Sequence, residues 1–393
     1  MYEIISLNDQ GQGITYIDNK ITFVDKVVVG DIVELVIVKE YKKYNIAKVT
    51  KFVNKSKSRV DAFCPFYDEC GGCQLQNLSY DDAINYKKKK LENILKKFAN
   101  LDKDIEVIKS DNISYRNKVT LRIIDKKIGF YKYNSNDLVE INKCLIANSV
   151  INDFISILKE FNINNGEVII RSNYNNELLI NIISKDKITI PKYDLKIVGI
   201  LQNNKIIYGE DHFMELINNK FFEVSYDSFF QINRDITSKI FDYIRDNILK
   251  KKNVLDLYCG VGTLGINVAD ISNKVYGIEC VENAVLNSIK NSKINKVNNT
   301  KYMLGFADKI IDKIEDNIDV IIIDPPRSGL TNKEIEVIKN MNVEQIIYVS
   351  CDPITLSRDL KLLNDKYEVK TIKGFDMFLY TYHCESITIL ERK

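Results

Sequence analysis

The chain has 393 residues, 45% of them hydrophobic and 28% charged, and its 56 Lys and Arg against 54 Asp and Glu leave a net charge of only +2. Such a composition describes a globular protein of two or three packed domains and excludes a disordered, highly charged chain, while no apolar run approaches the ~18 residues that span a bilayer. The opening residues MYEIISLNDQGQG lack the basic start, apolar run and cleavage site of an export signal, so a cytoplasmic protein is expected.

Residues 1–56 read as short alternating strands, among them 20–24 and 32–38, broken by Gly11, Gly13 and Gly30. A small OB-like β-barrel is expected there, and the ten Lys and Arg from Lys20 to Arg59 suit a face that binds an oligonucleotide. A cysteine-rich turn, 64–73, comes next. A helix over about 80–98 then begins after the capping residue Ser79. Its Lys87-Lys88-Lys89-Lys90 run reads either as a solvated face or as a phosphate-contacting surface. Strands then alternate with one helix, 147–161, up to residue 207, so that 57–225 forms a mixed α/β central domain, with helix 80–98 also free to pack on the domain that follows. From 226 to 393 strands and helices alternate. The runs 253–257, 274–278, 320–323 and 345–349 are β-rich, and a doubly wound, Rossmann-like parallel sheet is expected.

Strand 253–257 leads into Tyr258-Cys259-Gly260-Val261-Gly262-Thr263-Leu264-Gly265 and a helix, where glycines permit a tight turn and close backbone approach to a ligand. Glu279 ends the next strand 19 residues after Gly260, placed to accept both hydroxyls of an adenosine ribose. The glycine spacing alone also fits a dinucleotide fingerprint, and with it a nicotinamide dehydrogenase. Asp256 decides between them. A carboxylate four residues before the first glycine is poorly placed beside a pyrophosphate but suits a phosphate-free ligand with an ammonium and a sulfonium, S-adenosylmethionine. Asp324-Pro325-Pro326-Arg327 follows strand 320–323, at the carboxyl end where open α/β sheets place their sites. Enzymes that methylate exocyclic amino groups usually carry an aromatic residue after the two prolines; Arg327 stands there instead and disfavours that chemistry.

Ser350-Cys351-Asp352-Pro353 lies between strand 345–349 and a helix, so a Cys351 thiolate stabilised by the helix dipole is expected as a nucleophile. A pyrimidine ring carbon requires one: C5 of uracil is too electron-poor to attack a sulfonium until a thiolate adds at C6. A base must afterwards remove the C5 proton. Glu385, in Tyr382-His383-Cys384-Glu385 before a last strand, is the candidate base, although its residue type alone reads as a surface carboxylate. Cys259, Cys280 and Cys384 read as small buried hydrophobes.

Eight cysteines in a reducing compartment point to metal binding or catalysis rather than disulfides. Cys64-x5-Cys70-Gly71-Gly72-Cys73 with Cys144 makes a candidate four-thiolate set. Zinc and a 4Fe-4S cluster both accept four cysteines, and the spacing leaves both open.

Together these residues resemble the bacterial RNA uracil-5 (5-methyluridine) methyltransferase family along essentially the whole chain. The resemblance implies a TRAM domain for the N-terminal barrel, carried by Gly11-x-Gly13, Phe23-Val24 and Val29-Gly30-Asp31, and selects 4Fe-4S over zinc on Cys64, Cys70, Cys73 and Cys144. It implies S-adenosylmethionine contacts at Gln231, in Phe230-Gln231-Ile232-Asn233, and at Tyr258, Glu279 and Asp324, beside the Asp256, Gly260 and Gly262 read from the residues themselves. Cys351 takes the place of the family's nucleophile and Glu385 that of its base. Leu379-Tyr380 replaces the usual Pro-Gln after Asp376-Met377-Phe378, and Cys384 replaces an aliphatic residue, so the local loop shape differs. Members with both cluster and barrel modify 23S ribosomal RNA, which makes that the implied substrate, presented as an extruded uridine to a monomeric enzyme without membrane contact. The alternatives are a transfer-RNA uridine-5 methyltransferase and a non-catalytic RNA-binding iron-sulfur protein.

Overall fold

The computed structural model describes residues 1–393. Strands Tyr2–Glu3, Ser6–Leu7, Gly13–Ile17, Lys20–Val24, Ile32–Glu40 and Tyr44–Asn54 form one six-stranded sheet. Asp18 and Asn19, at φ +49° and +61°, make the two-residue turn whose twist matches that of its flanking strands. Tyr2–Glu3 pairs with Ile32–Glu40, and Ser6–Leu7 just beyond it pairs with Gly13–Ile17. The two ends of the sheet therefore meet in one short segment, and the sheet rolls up around Ile4, Val24, Val27, Val33 and Ala47.

Residues 55–79 carry no regular element before helix Tyr80–Ala99, whose start is capped by the Ser79 side chain accepting from Asp82 N and whose end is closed by Asn100 in the left-handed region. Its buried stripe, Ile84, Lys87, Leu91, Ile94 and Leu95, follows helical spacing. Ile84, Leu91 and Leu95 share a core with Leu356 and Leu360 of helix Pro353–Leu363. Lys87 lies fully buried in that stripe and is paired with Asp376, Lys88 pairs with Asp104, and Lys90 donates to Tyr382 O. Of the four lysines only Lys89 is exposed. The run is therefore neither a uniform solvated face nor a phosphate surface, because helical spacing turns its members toward different neighbours.

A seven-stranded sheet, in the order Leu138–Glu140, Lys127–Tyr131, Lys118–Ile124, Gly166–Ser172, Leu178–Ile183, Ile197–Gln202 and Lys205–Gly209, fills the middle of the chain. Helix Ser149–Ile157, continued as a 3-10 turn Leu158–Phe161, covers one face through Ile151, Phe154 and Leu158. The hairpin His212–Ile217 and Lys220–Ser225 stands apart from that sheet. Its Phe213, Ile217, Phe222 and Val224 belong instead to the core of helix Arg234–Asn247, on the far side of the boundary drawn at 225 from the sequence.

The last sheet has eight strands, in the order Thr300–Leu304, Lys274–Glu279, Asn253–Leu257, Val320–Ile323, Gln345–Ser350, Glu385–Arg392, Tyr367–Phe375 and Val107–Ile108. The first five are parallel, with helices packed on both faces. Glu385–Arg392 runs antiparallel to both of its neighbours, so the expected parallel sheet ends in a hairpin. Residues 376–384 between those strands carry no helix, and a parallel return needs a longer crossover. No helix is long and apolar enough to cross a membrane.

Candidate active site

The turn after strand Asn253–Leu257 places Tyr258, Gly260 and Gly262 in the left-handed region, at φ +62°, +53° and +85°, before helix Thr263–Val268. The two glycines serve different ends. A Cβ on Gly260 would meet nothing within 4 Å, so that position faces open space, whereas one on Gly262 would meet the Tyr302 hydroxyl at 2.8 Å and Ser288 Cβ at 3.0 Å. Gly262 is thus required for packing rather than for ligand approach. Asp256 is fully buried: its Oδ2 accepts from Gly265 N at 2.8 Å and its Oδ1 has no partner. Burial, reinforced by the charges of Asp324 and Glu279, pushes its carboxyl up to about 8. A cationic ligand would relieve that cost.

Glu279 is held by three backbone donors, Gly260 N at 3.1 Å on one oxygen and Cys280 N and Val281 N at 2.8 and 2.9 Å on the other. Gln231, Asp256, Tyr258, Gly260 and Asp324 line a single narrow cavity of about 40 Å³ together with Phe229. Glu279 does not line it and is linked to it only by its hydrogen bond from Gly260 N. The Tyr258 hydroxyl donates to Glu334. The Gln231 segment is held from the seven-stranded sheet: Arg171 donates to Ser228 O at 2.6 Å, and the Asn117 amide donates to Gln231 O at 3.1 Å. Asn233 then caps helix Arg234–Asn247 by accepting from Ile236 N. Phe229 was missed in the sequence, where an aromatic beside Phe230 reads as core; it is 70% exposed.

The reactive candidates stand at neighbouring strand ends. Asp324 follows Val320–Ile323, Cys351 follows Gln345–Ser350, and Glu385 opens the adjacent antiparallel strand, in which Ser386 faces Ser350. Because that strand runs backwards, its start lies at the same sheet edge as the other two ends. Burial first, then the Asp324 charge, raises the Glu385 carboxyl above the usual range, with Arg327 opposing; burial likewise raises Asp324. The Cys351 thiol is pushed up to about 11 by burial and by the Glu385 charge, again opposed by Arg327. That direction runs against the expected stabilisation of a thiolate by the helix dipole. Asp352 caps helix Pro353–Leu363, its carboxylate accepting from Ile354 N and Thr355 N, so those donors are spent on Asp352, whose charge also raises the thiol. His383 is driven down to about 4 by burial and by Arg327 and Lys90.

Cys64, Cys70, Cys73 and Cys144 line a second cavity, of about 520 Å³, and none is in a disulfide. Gly71 lets the turn lie against the neighbouring strand, where a Cβ would meet Tyr133 N at 2.9 Å and Tyr131 O at 3.0 Å. The Asn152 side chain accepts from Cys144 N and donates to Cys144 O. Lys26, from the N-terminal sheet, donates to Cys73 O and lies 3.9 Å from the Tyr67 ring centroid. Burial raises the thiols of Cys64 and Cys144, and that of Cys73 to about 12. No three His, Cys, Asp or Glu side chains are gathered as a metal-holding group, so the four cysteines expected to hold a metal centre share a cavity without being drawn together as ligands. Cys259 and Cys384 are buried as expected of small hydrophobes, but Cys280 is exposed, because it lies beyond the end of its strand.

The tRNA (uracil-5-)-methyltransferase family profile matches residues 175–393, more than half of the chain. Uncharacterised RNA methyltransferases of Clostridium tetani and Clostridium acetobutylicum are 32% and 33% identical, over 98% and 100% of this chain and 95% and 97% of theirs. The crystal structure of Pyrococcus abyssi tRNA (uracil-54, C5)-methyltransferase in complex with S-adenosyl-L-homocysteine superimposes with a TM-score of 0.83 at 27% identity, covering 99% of both chains. A strand-glycine-helix cofactor site at the edge of an open α/β sheet defines the class, an S-adenosylmethionine-dependent methyltransferase acting on RNA. The chain belongs to the tRNA (uracil-5-)-methyltransferase family.

Proposed function

We propose that the chain transfers a methyl group from S-adenosylmethionine to carbon 5 of a uridine in 23S ribosomal RNA, with Cys351 as nucleophile and Glu385 as base. The observation that carries this reading is the placement of Asp324, Cys351 and Glu385 at three adjacent strand ends on one sheet edge, with Asp324 also lining the Gln231, Asp256, Tyr258 and Gly260 cavity. Asp256, with its unpaired buried oxygen, receives the cationic methionine end of the cofactor, and Glu279, fixed by three amides, receives the ribose. The bound cofactor supplies an electrophilic methyl on a sulfonium, whose positive charge favours ionised carboxylates and thiolate around it. Cys351, after losing its proton to solvent, adds as the thiolate to C6 of uracil. C5 then takes the methyl group, Glu385 takes the C5 proton, and the C6–S bond breaks to return the thiolate. Burial favours the protonated form of Glu385, and the cofactor's positive charge favours the ionised form that the last step needs.

Cys64, Cys70, Cys73 and Cys144 are the residues that would hold a 4Fe-4S cluster. Four free thiols line one roomy cavity there, and the resemblance, not their spacing, selects a cluster over zinc. Bound there, the cluster supplies a cross-link between the 64–73 turn and the seven-stranded sheet. The rolled N-terminal sheet is read as a TRAM barrel, and 1–56, 57–225 and 226–393 as three units of a cytoplasmic monomer. Arg116, Lys118 and Arg122 beside Phe130 and Tyr131 on the cysteine cavity, and exposed Phe229, suit phosphates and bases of a structured RNA. Transfer RNA is the second reading, favoured by the full-length likeness to the Pyrococcus abyssi enzyme. Incubation with labelled S-adenosylmethionine and unmodified ribosomal or transfer RNA, followed by nucleoside analysis, tests both. Label in 5-methyluridine from ribosomal RNA is expected; label from transfer RNA alone would overturn the substrate, and label in neither would leave an RNA-binding protein without this activity.

A further inference from the structure

Residues 376–384 join the last two strands and deliver the chain from Phe375 to Glu385, which face each other in register. This loop is gripped at every second residue by groups that lie outside the catalytic sheet. Lys87 pairs with the Asp376 carboxylate and donates to Phe378 O at 2.9 Å. The Tyr80 hydroxyl donates to the other Asp376 oxygen at 2.8 Å. Gln74 N and Leu75 N, at the end of the cysteine turn, both donate to Tyr380 O at 2.9 Å, and Lys90 donates to Tyr382 O at 3.0 Å. Tyr380 itself is at φ +58°, so the chain bends at the point the cysteine turn holds. Lys87 and Asp376 are each 1% exposed. A charge pair so completely desolvated adds little net stability over apolar residues of equal size, but it fixes geometry.

Resting on the reading of Glu385 as the base, we propose that Lys87 is a positioning residue: with Asp376 it holds the loop that aims the Glu385 carboxylate at the C5 proton. In that step the proton passes from C5 to Glu385, the C5–H electrons form the C5–C6 double bond, and the electrons of the C6–S bond return to Cys351. Addition of Cys351 and transfer of the methyl group come earlier and draw on other strand ends, which Lys87 does not touch. Loosening the loop therefore slows release of the RNA and leaves adduct formation intact.

The test compares Lys87→Met, the double variant Lys87→Met/Asp376→Leu and Glu385→Gln on uridine RNA and on 5-fluorouridine RNA, with folding checked by S-adenosylhomocysteine binding. The double variant leaves no buried charge unpaired, so it remains informative should Lys87→Met fail to fold. On uridine RNA the Lys87 variants are expected to accumulate a covalent protein–RNA adduct and to lose kcat roughly 10- to 100-fold with KM unchanged. On 5-fluorouridine RNA, whose adduct does not resolve, they should react at the wild-type rate, and Lys87→Arg should restore release. Adduct accumulation in Glu385→Gln but not in the double variant overturns the positioning role and leaves the base standing. Equal slowing on both RNAs overturns it too, since a merely structural residue behaves that way. No adduct in Glu385→Gln brings down the base reading itself, and this inference with it.

Discussion

At the edge of the eight-stranded sheet Asp256, Asp324, Cys351 and Glu385 each stand within a residue of a strand end, whereas Cys64, Cys70 and Cys73 occupy a segment with no regular element. Backbone ladders fix the first group, and isolated backbone bonds such as Cys70 N to Phe66 O and Gly71 N to Tyr131 O, with the Lys26 side chain on Cys73 O, fix the second. The two regions also handle buried charge differently. Burial comes first in both, but at the catalytic edge neighbouring carboxylates add to it at Glu385 and Cys351 and Arg327 opposes it, while in the cysteine cavity neighbouring thiols add to it at Cys73 and Lys26 opposes it. A substitution at a strand end should thus remove one chemical role and leave the fold, and a substitution at the cavity should loosen structure and leave cofactor binding.

The largest effect is expected at Cys351. Cys351→Ala should cut 5-methyluridine formation by at least about 10³-fold in the labelled-methyl assay while leaving the thermal midpoint close to wild type. Asp256→Asn should weaken S-adenosylhomocysteine about tenfold by calorimetry, since it removes the carboxylate that meets the ligand's ammonium. Wild-type affinity should climb as pH rises toward about 8, because the ligand selects the ionised carboxyl that burial disfavours; the variant should lose that slope. Stability runs the opposite way. A carboxyl whose folded value lies above its unfolded value of about 3.9 is bound more tightly by protons in the folded chain, so its contribution to stability falls as pH rises from about 4 to about 8. Cys73→Ser should have the smallest effect on chemistry: iron and sulfide found by anaerobic purification of the parent should drop, the midpoint should fall, and S-adenosylhomocysteine affinity should stay within about twofold. Unchanged metal content in that variant would contradict the cluster assignment.

Strand-end residues were legible in the sequence because periodicity marks where a buried parallel strand stops, and Asp256, Asp324 and Cys351 lie at such stops. Glu385 needed the resemblance, since only the pairing of Ser350 with Ser386 brings it beside Cys351. The antiparallel hairpin beside the four parallel runs is not legible, because strand runs carry no direction. Gly260 and Gly262 look alike in a motif, and only the Tyr302 hydroxyl behind Gly262 separates a packing glycine from one that faces the site. The surroundings of the Cys351 thiol are not legible for a local reason: Asp352, the next residue, takes the helix donors. Lys87 in a run of four lysines reads as surface, and its burial follows from Asp376, which is 289 residues away in sequence.

The measurement that tests the account most directly is peptide mapping, by mass spectrometry, of the adduct trapped on 5-fluorouridine RNA in the presence of S-adenosylmethionine. The account predicts a single cross-linked peptide containing Cys351, with the methyl group on C5 of the modified base. Methylated product with no covalent adduct, or an adduct on any other cysteine, would contradict it.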